Sequence, residues 1–429
     1  MLKCRTGGRL PPPLIFLTRF SHSLQVALSR ASEDDTMPYS QDEQISHVAR
    51  RLGLGVEPQI LASATSVDEA VSAALDLSIP TPEPTDLVVP VDFEDSRSQE
   101  QRQAPYRYWL TQMITGPRRI EERLTWFWHD HFVTSIRKVQ VPYLMYVQHV
   151  MLRKHATENF ADLLYAIATD PAMLIYLDGF QNQQGAINEN FGREVMELFT
   201  LGIGNYTEED VLAASAAFSG WIVARGGGRA ERLGATRWEA TFVPQRHDDS
   251  MNAFLGVTGS HNAQDAVDII LDQPATAEFI SSKMYRELVG LSPDDTTIQR
   301  IAPVFRADYS IMALVWAIVA EPVFVSDASI RAKVRTPLER AVGLAQVYGY
   351  EADGRREPGN NIIRTLESLG YAPFNPPNVA GYAKGRRLLG PYGLGLFDLT
   401  DETRIVLDAA PDPATRTALA INAPEYLLV

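Results

Sequence analysis

Three carboxylates and one guanidinium crowd into the segment NENFGREVMELFTLG at 188–202: Glu189, Arg193, Glu194 and Glu197. Glu194 and Glu197 are three residues apart and project from one face of a helix. Glu189 stands near its start, where the helix dipole favours negative charge. Val195, Met196, Leu198 and Phe199 occupy much of the remaining circumference, so at least one carboxylate is expected to lose its water. A desolvated carboxylate needs an arginine, a hydrogen-bond donor or a metal. Two readings follow. The acids are acid/base groups or metal ligands, or else Arg193 or an arginine of a neighbouring helix pairs with Glu194 or Glu197 and the arrangement is structural.

A second constellation is Trp126-Phe127-Trp128-His129-Asp130-His131-Phe132. A His-x-His pair chelates one metal from a strand, where alternate residues share a face. On a helix it cannot, because residues two apart point in nearly opposite directions. Ile120, Leu124, Phe127 and His131 follow helical spacing, so both histidines are placed on a helix and only one can face a given site. His129, with Asp130 beside it, suits a ligand or general base, and His131 suits either a ligand or a satisfied core residue. A third candidate is Arg246-His247-Asp248-Asp249-Ser250, where His247 and Asp248 could complete a metal or acid/base site or form a solvated turn. Nucleophile and phosphate motifs are missing: there is no Gly-x-Ser-x-Gly and no Gly-x-x-x-x-Gly-Lys-Ser/Thr.

The elements that must position these residues read as helices. Ile45, Val48, Ala49 and Leu52 fall at helical offsets before the stop Gly53-Leu54-Gly55, and a further helix fits 66–77. Apolar residues recur with helical spacing through 103–115, 118–133, 141–155, 158–168, 189–200 and 208–221, then through 263–272, 275–290, 295–306, 309–320 and 335–348. Asn188 or Asn190 caps the acid-bearing helix. Prolines 80, 82, 84 and 90 make a surface loop or short linker of 79–98. Gly226-Gly227-Gly228 and the alternation around Trp238, Ala240 and Phe242 mark an irregular or β-hairpin excursion within 222–260. The expected fold is mainly α, a large multi-helix array carrying that one excursion.

Composition bounds the function. The chain has 429 residues, 45% hydrophobic and 21% charged, which suits a globular protein that buries a core. A formal net charge of −14 argues against a nucleic-acid or anionic-membrane partner, and the basic cluster Lys384, Arg386 and Arg387 is read as a solvated loop. Cys4 is the only cysteine, so no disulfide or cysteine metal site forms within the chain. No run approaches the roughly 18 apolar residues of a spanning helix. Residues 1–36 are set apart as an extension: 1–32 contain no acid and resemble a transit peptide, or else Met37 is the initiator. Residues 37–429 are read as one helical domain. Without a clear signal the chain is expected in the cytoplasm.

The chain resembles the bacterial domain of unknown function 1800 family, on Asn188-Glu189-Asn190, Arg193-Glu194, Glu197-Leu198, Thr200-Leu201-Gly202, Tyr206-Thr207, Asp210-Val211 and Gly220-Trp221. Phe127-Trp128-His129, His247-Asp248 and Pro376-Pro377-Asn378-Val379-Ala380-Gly381 agree with it, so the resemblance covers roughly 45–429. Met251 and Asn252 stand where the family carries a lysine, and Tyr382 where it carries a tryptophan. The resemblance implies the fold class and allows export, but brings no activity. The functional expectation is a metal- or carboxylate-dependent enzyme, hydrolase before oxidoreductase, acting on a small-molecule or polymer substrate. Glu194, Glu197, His247 and Asp248 are its catalytic candidates. His129, His131, Glu189, Glu194, Glu197 and His247 are the candidate ligands, not all together, of a divalent metal. The alternative is a non-catalytic binding or assembly factor, with buried ion pairs and an aromatic partner surface.

Overall fold

The computed structural model describes residues 39–80, 98–224, 228, 232–348, 359–382, 405–407 and 409–410. The extension 1–36, nearly all of the proline-rich 79–98 segment and the basic cluster at 384–387 lie outside them. The described chain is mostly helical with two small two-stranded sheets. No helix in it is long and apolar enough to cross a membrane.

Side-chain caps start the helices where the sequence supplies them. Helix α1 (Gln41–Leu52) opens on a capping box between Ser40 and Glu43, and buries Ile45, Val48, Ala49 and Leu52. Helices α2 (Pro58–Ser63) and α3 (Val67–Ala74) fold back on it. Three longer helices make the centre: α4 (Gln99–Thr115), α5 (Arg119–His131) and α7 (Pro142–His155), with the short α6 (Ile136–Val139) between the last two. Asn159 caps α8 (Phe160–Ala168) and Asp170 caps α9 (Pro171–Tyr176). Asn188 caps α10 (Glu189–Glu194), which packs against α11 (Glu208–Ala217). Four helices follow the sheets: α12 (Ala263–Asp272), α13 (Pro274–Val289), α14 (Asp295–Arg306) and α15 (Ile311–Val319). Gly290 ends α13 at φ +85°. A side chain would be strained at that φ, and the Arg51 guanidinium carbon, 2.9 Å from where a Cβ would stand, would also have to shift. Helices α16 (Pro337–Tyr348) and α17 (Gly359–Ser368) close the array.

The excursion after α11 is two hairpins rather than one. Strands β1 (Trp221–Val223) and β2 (Ala240–Phe242) pair antiparallel, as do β3 (Asn252–Phe254) and β4 (Val257–Gly259). One continuous cluster of buried apolar side chains runs from Ile45 to Tyr382, and Ile222, Ala224, Ala235 and Val243 form a small satellite beneath the first hairpin.

Candidate carboxylate site

The helix read as continuous over 189–200 changes pitch halfway. From Val195 to Thr200 it is a π-helix. The Leu201 N–H reaches back five residues to the Met196 carbonyl at 2.8 Å, and the Thr200 hydroxyl donates to the Val195 carbonyl at 2.7 Å. Such single-turn widenings are rare and concentrate at functional sites. Both flanks of this one are held. Gly192 lies against the α11 backbone, and Gly202, at φ +77°, lies against the Phe279 ring.

Glu194 and Glu197 straddle the change of pitch, both half-buried. Burial pushes the Glu194 carboxyl up, and the Glu197 charge adds to this against the opposing Arg193. Glu197 accepts a hydrogen bond from the Tyr206 hydroxyl at 2.7 Å. Burial and then that bond push the Tyr206 phenol up to about 12. The phenol of Tyr176, the last residue of α9, is raised by burial and by the nearby Glu194 charge. Arg193, the sequence's own candidate to neutralise these acids, is turned elsewhere. It grips both oxygens of Glu208 at 2.9 and 2.7 Å and reaches Glu189 at 3.4 Å. Glu189 is therefore an exposed surface partner of Arg193 at the helix start and stands apart from the carboxylate pair.

The asparagines of the same block, and Asn182 just before it, are scaffolding. Asn188 donates to the Asp178 carbonyl at 3.1 Å, Asn190 to the Leu177 carbonyl at 3.2 Å, and Asn182 to the Ser215 carbonyl at 2.6 Å. They tie the loop before α10 to both neighbouring helices, which places α10 and the π turn.

The histidines do not join the carboxylates. His129 points into the aromatic interior, where its Nε2 accepts the Phe374 N–H at 3.1 Å with the Tyr382 hydroxyl 3.4 Å away. Burial lowers its pKa to about 3. Its neighbour Asp130 accepts the Tyr382 N–H at 2.7 Å. The aromatic helix α5 thus clamps the 372–382 segment, and Tyr382 itself donates to the Ala372 carbonyl at 2.7 Å. His131 faces the other way, its Nε2 3.0 Å from the Phe199 carbonyl at the end of the π turn. His247 sits half-buried with Nδ1 3.2 Å from the Ser219 hydroxyl. Asp248 turns back on Ser250, and its N–H donates to Ser219 at 2.8 Å.

The structure therefore sets the three histidines in three different places, and none of them is bonded to Glu194 or Glu197. Helical geometry sends His129 and His131 to opposite sides, and the backbone of 219–220 holds His247. Among the described residues no three His, Cys, Asp or Glu side chains stand so as to hold a metal ion, and the donors present do not fit a three-ligand metal centre. In the aromatic stretch read as a partner surface, Trp126, Phe127, Trp128 and Phe132 are all buried within the chain. Sequence reasoning missed Tyr206 and Tyr176 as companions of the acids. Tyr206 was legible as part of the Tyr-Thr signature, whereas nothing in sequence spacing links Tyr176 to Glu194.

A family model described as "Protein of unknown function (DUF1800)" matches residues 47–394. No curated protein matches the chain, and no solved structure does.

Proposed function

The chain belongs to the DUF1800 family, and for this member we propose a carboxylate-pair hydrolase in which Glu194 is the general acid and Glu197 the general base. One observation carries the reading. Two neighbouring half-buried carboxylates have different surroundings, and the arginine that immediately precedes them in sequence, Arg193, is committed to Glu208. Pairs of titratable groups set in unlike environments divide acid and base work between them. Burial favours the protonated form of Glu194, which suits donation to a leaving group. The Tyr206 hydroxyl occupies Oε2 of Glu197 and leaves Oε1 to take a proton from an attacking water. The water's hydroxyl goes to the substrate, its proton to Glu197, and the Glu194 proton to the departing group.

The test uses purified full-length protein against a panel of chromogenic esters, glycosides and peptides. Positioned acid/base groups contribute about 10²–10⁴-fold. Glu194→Gln and Glu197→Gln should each lower turnover by at least about 10²-fold while leaving the melting temperature within a few degrees of wild type. Turnover that survives both substitutions, or a wild-type protein inert across the panel, overturns the proposal and favours the binding or assembly role.

A further inference from the structure

Helices α4 and α7 meet over polar atoms that the carboxylate site does not use. Trp109 of α4 and His149 of α7 are at most 1% exposed, and their rings lie 4.3 Å apart. Among the described residues, neither ring nitrogen of His149 has a hydrogen-bond partner, and nor does the indole Nε1 of Trp109. One turn further along α7, Arg153 gives its terminal nitrogens to Glu121 and Glu122, while its buried Nε meets no partner among the described residues. Residues four apart share a helix face, so His149 and Arg153 present their open atoms on one side. The surroundings are otherwise aromatic, with Tyr108 and Phe374 each 5.9 Å from the imidazole. His129 cannot complete the bonding, because its Nε2 already accepts the Phe374 N–H.

Chemistry narrows the occupant. Burial and then the Arg153 charge hold His149 well below the ordinary histidine range, so the ring is neutral, with one N–H and one lone pair. The patch offers three donors and one acceptor. A cation would find a single lone pair beside a guanidinium. An anion would find an arginine already neutralised by two carboxylates at low dielectric. A neutral molecule that both accepts and donates satisfies the set, and the smallest is water. Buried polar groups in protein interiors are regularly completed this way. The two nitrogens of an imidazole open on different edges of the ring, so one water cannot serve both.

We propose that the α4–α7 interface holds at least two ordered internal water molecules, one on each nitrogen of His149, with the Trp109 indole N–H donating to one of them. Two measurements on the full chain test this. In ¹⁵N-labelled wild type, the Trp109 indole proton should give a cross-peak to a long-lived water. Oxygen-17 relaxation dispersion should lose about two long-lived waters in His149→Leu. That variant should also melt several degrees lower, because Trp109 would lose its partner. An indole proton with no water cross-peak, an unchanged dispersion amplitude, or a His149→Leu variant that melts higher overturns the proposal, since removing two open polar atoms from a dry interior is stabilising. Should His149→Leu fail to fold, the wild-type cross-peak decides alone.

Discussion

Asp170 shows most clearly what burial does to a single side chain in this protein. It caps α9 through the Met173 N–H at 2.8 Å and accepts the Gln148 amide at 2.7 Å. Burial nevertheless pushes its pKa from 3.8 to about 7, outweighing those bonds. Because the folded value is raised, the associated stability is fully present below the unfolded pKa and is lost as pH rises through the folded one. Asp170→Asn keeps the capping carbonyl and removes the charge. Calorimetry from pH 4 to 8 should therefore show wild type losing stability relative to the variant between about pH 4 and 7, with the variant the more stable at pH 8. A difference that stays constant over that window would mean the ionised carboxylate carries no penalty. The carboxylates of the candidate site were legible because Glu194 and Glu197 are too acidic for their apolar neighbours Val195, Met196 and Phe199. Their companions were not. Tyr176 reaches Glu194 from another helix, and His129 looked like a ligand until Phe374, more than two hundred residues away, took its lone pair.

Helices were the legible elements, because caps such as Ser40 and Asn188 and apolar spacings such as Ile45, Val48 and Leu52 are local signals. The π turn was not legible. Six residues are too few for its period to separate from that of an α-helix, and what accompanies it is tertiary. Gly192 is the nearest such contact. A Cβ there would stand 2.9 Å from the Ser215 nitrogen and 3.1 Å from the Val211 carbonyl, both backbone atoms of α11 that cannot swing aside. Gly192→Ala should thus push α10 away from α11 and cost about 1–3 kcal/mol, the usual range for overpacking. Urea denaturation measures it as a lowered midpoint with an unchanged slope. Truncating Ser215 to Ala should recover only part of the loss, because the backbone contacts persist. A Gly192→Ala protein as stable as wild type would mean that the two helices part freely, and that the pitch change does not depend on their close approach.

Across the whole molecule, one guanidinium joins segments that sequence distance separates. Arg123 on α5 donates from Nε to the Gly53 carbonyl at 2.8 Å and from Nη2 to the Arg50 carbonyl at 2.9 Å. Its Nη1 meets Glu287 on α13 at 2.9 Å and Glu339 on α16 at 2.6 Å. Lys333 adds a second cation on Glu287 at 2.7 Å. No spacing rule could have revealed this junction, because its members come from four distant stretches of chain. Burial alone would raise the Glu339 carboxyl, but the Lys333 and Arg123 charges outweigh it and hold the group well below the ordinary carboxylate range. A depressed carboxylate contributes stability that is present at neutral pH and is lost as pH falls through the folded value. Glu339→Met would leave Arg123 buried with half its anionic partners, and breaking such a pair from one side costs about 3–5 kcal/mol. Replacing both members, as Arg123→Met with Glu339→Met, removes the unpaired charge but also abandons the Gly53 and Arg50 carbonyls. The double variant should therefore recover only part of the loss. A double-mutant cycle by urea denaturation reads the coupling directly. Full recovery would mean that the junction contributes no net stability and that apolar packing alone holds α1, α5, α13 and α16 together.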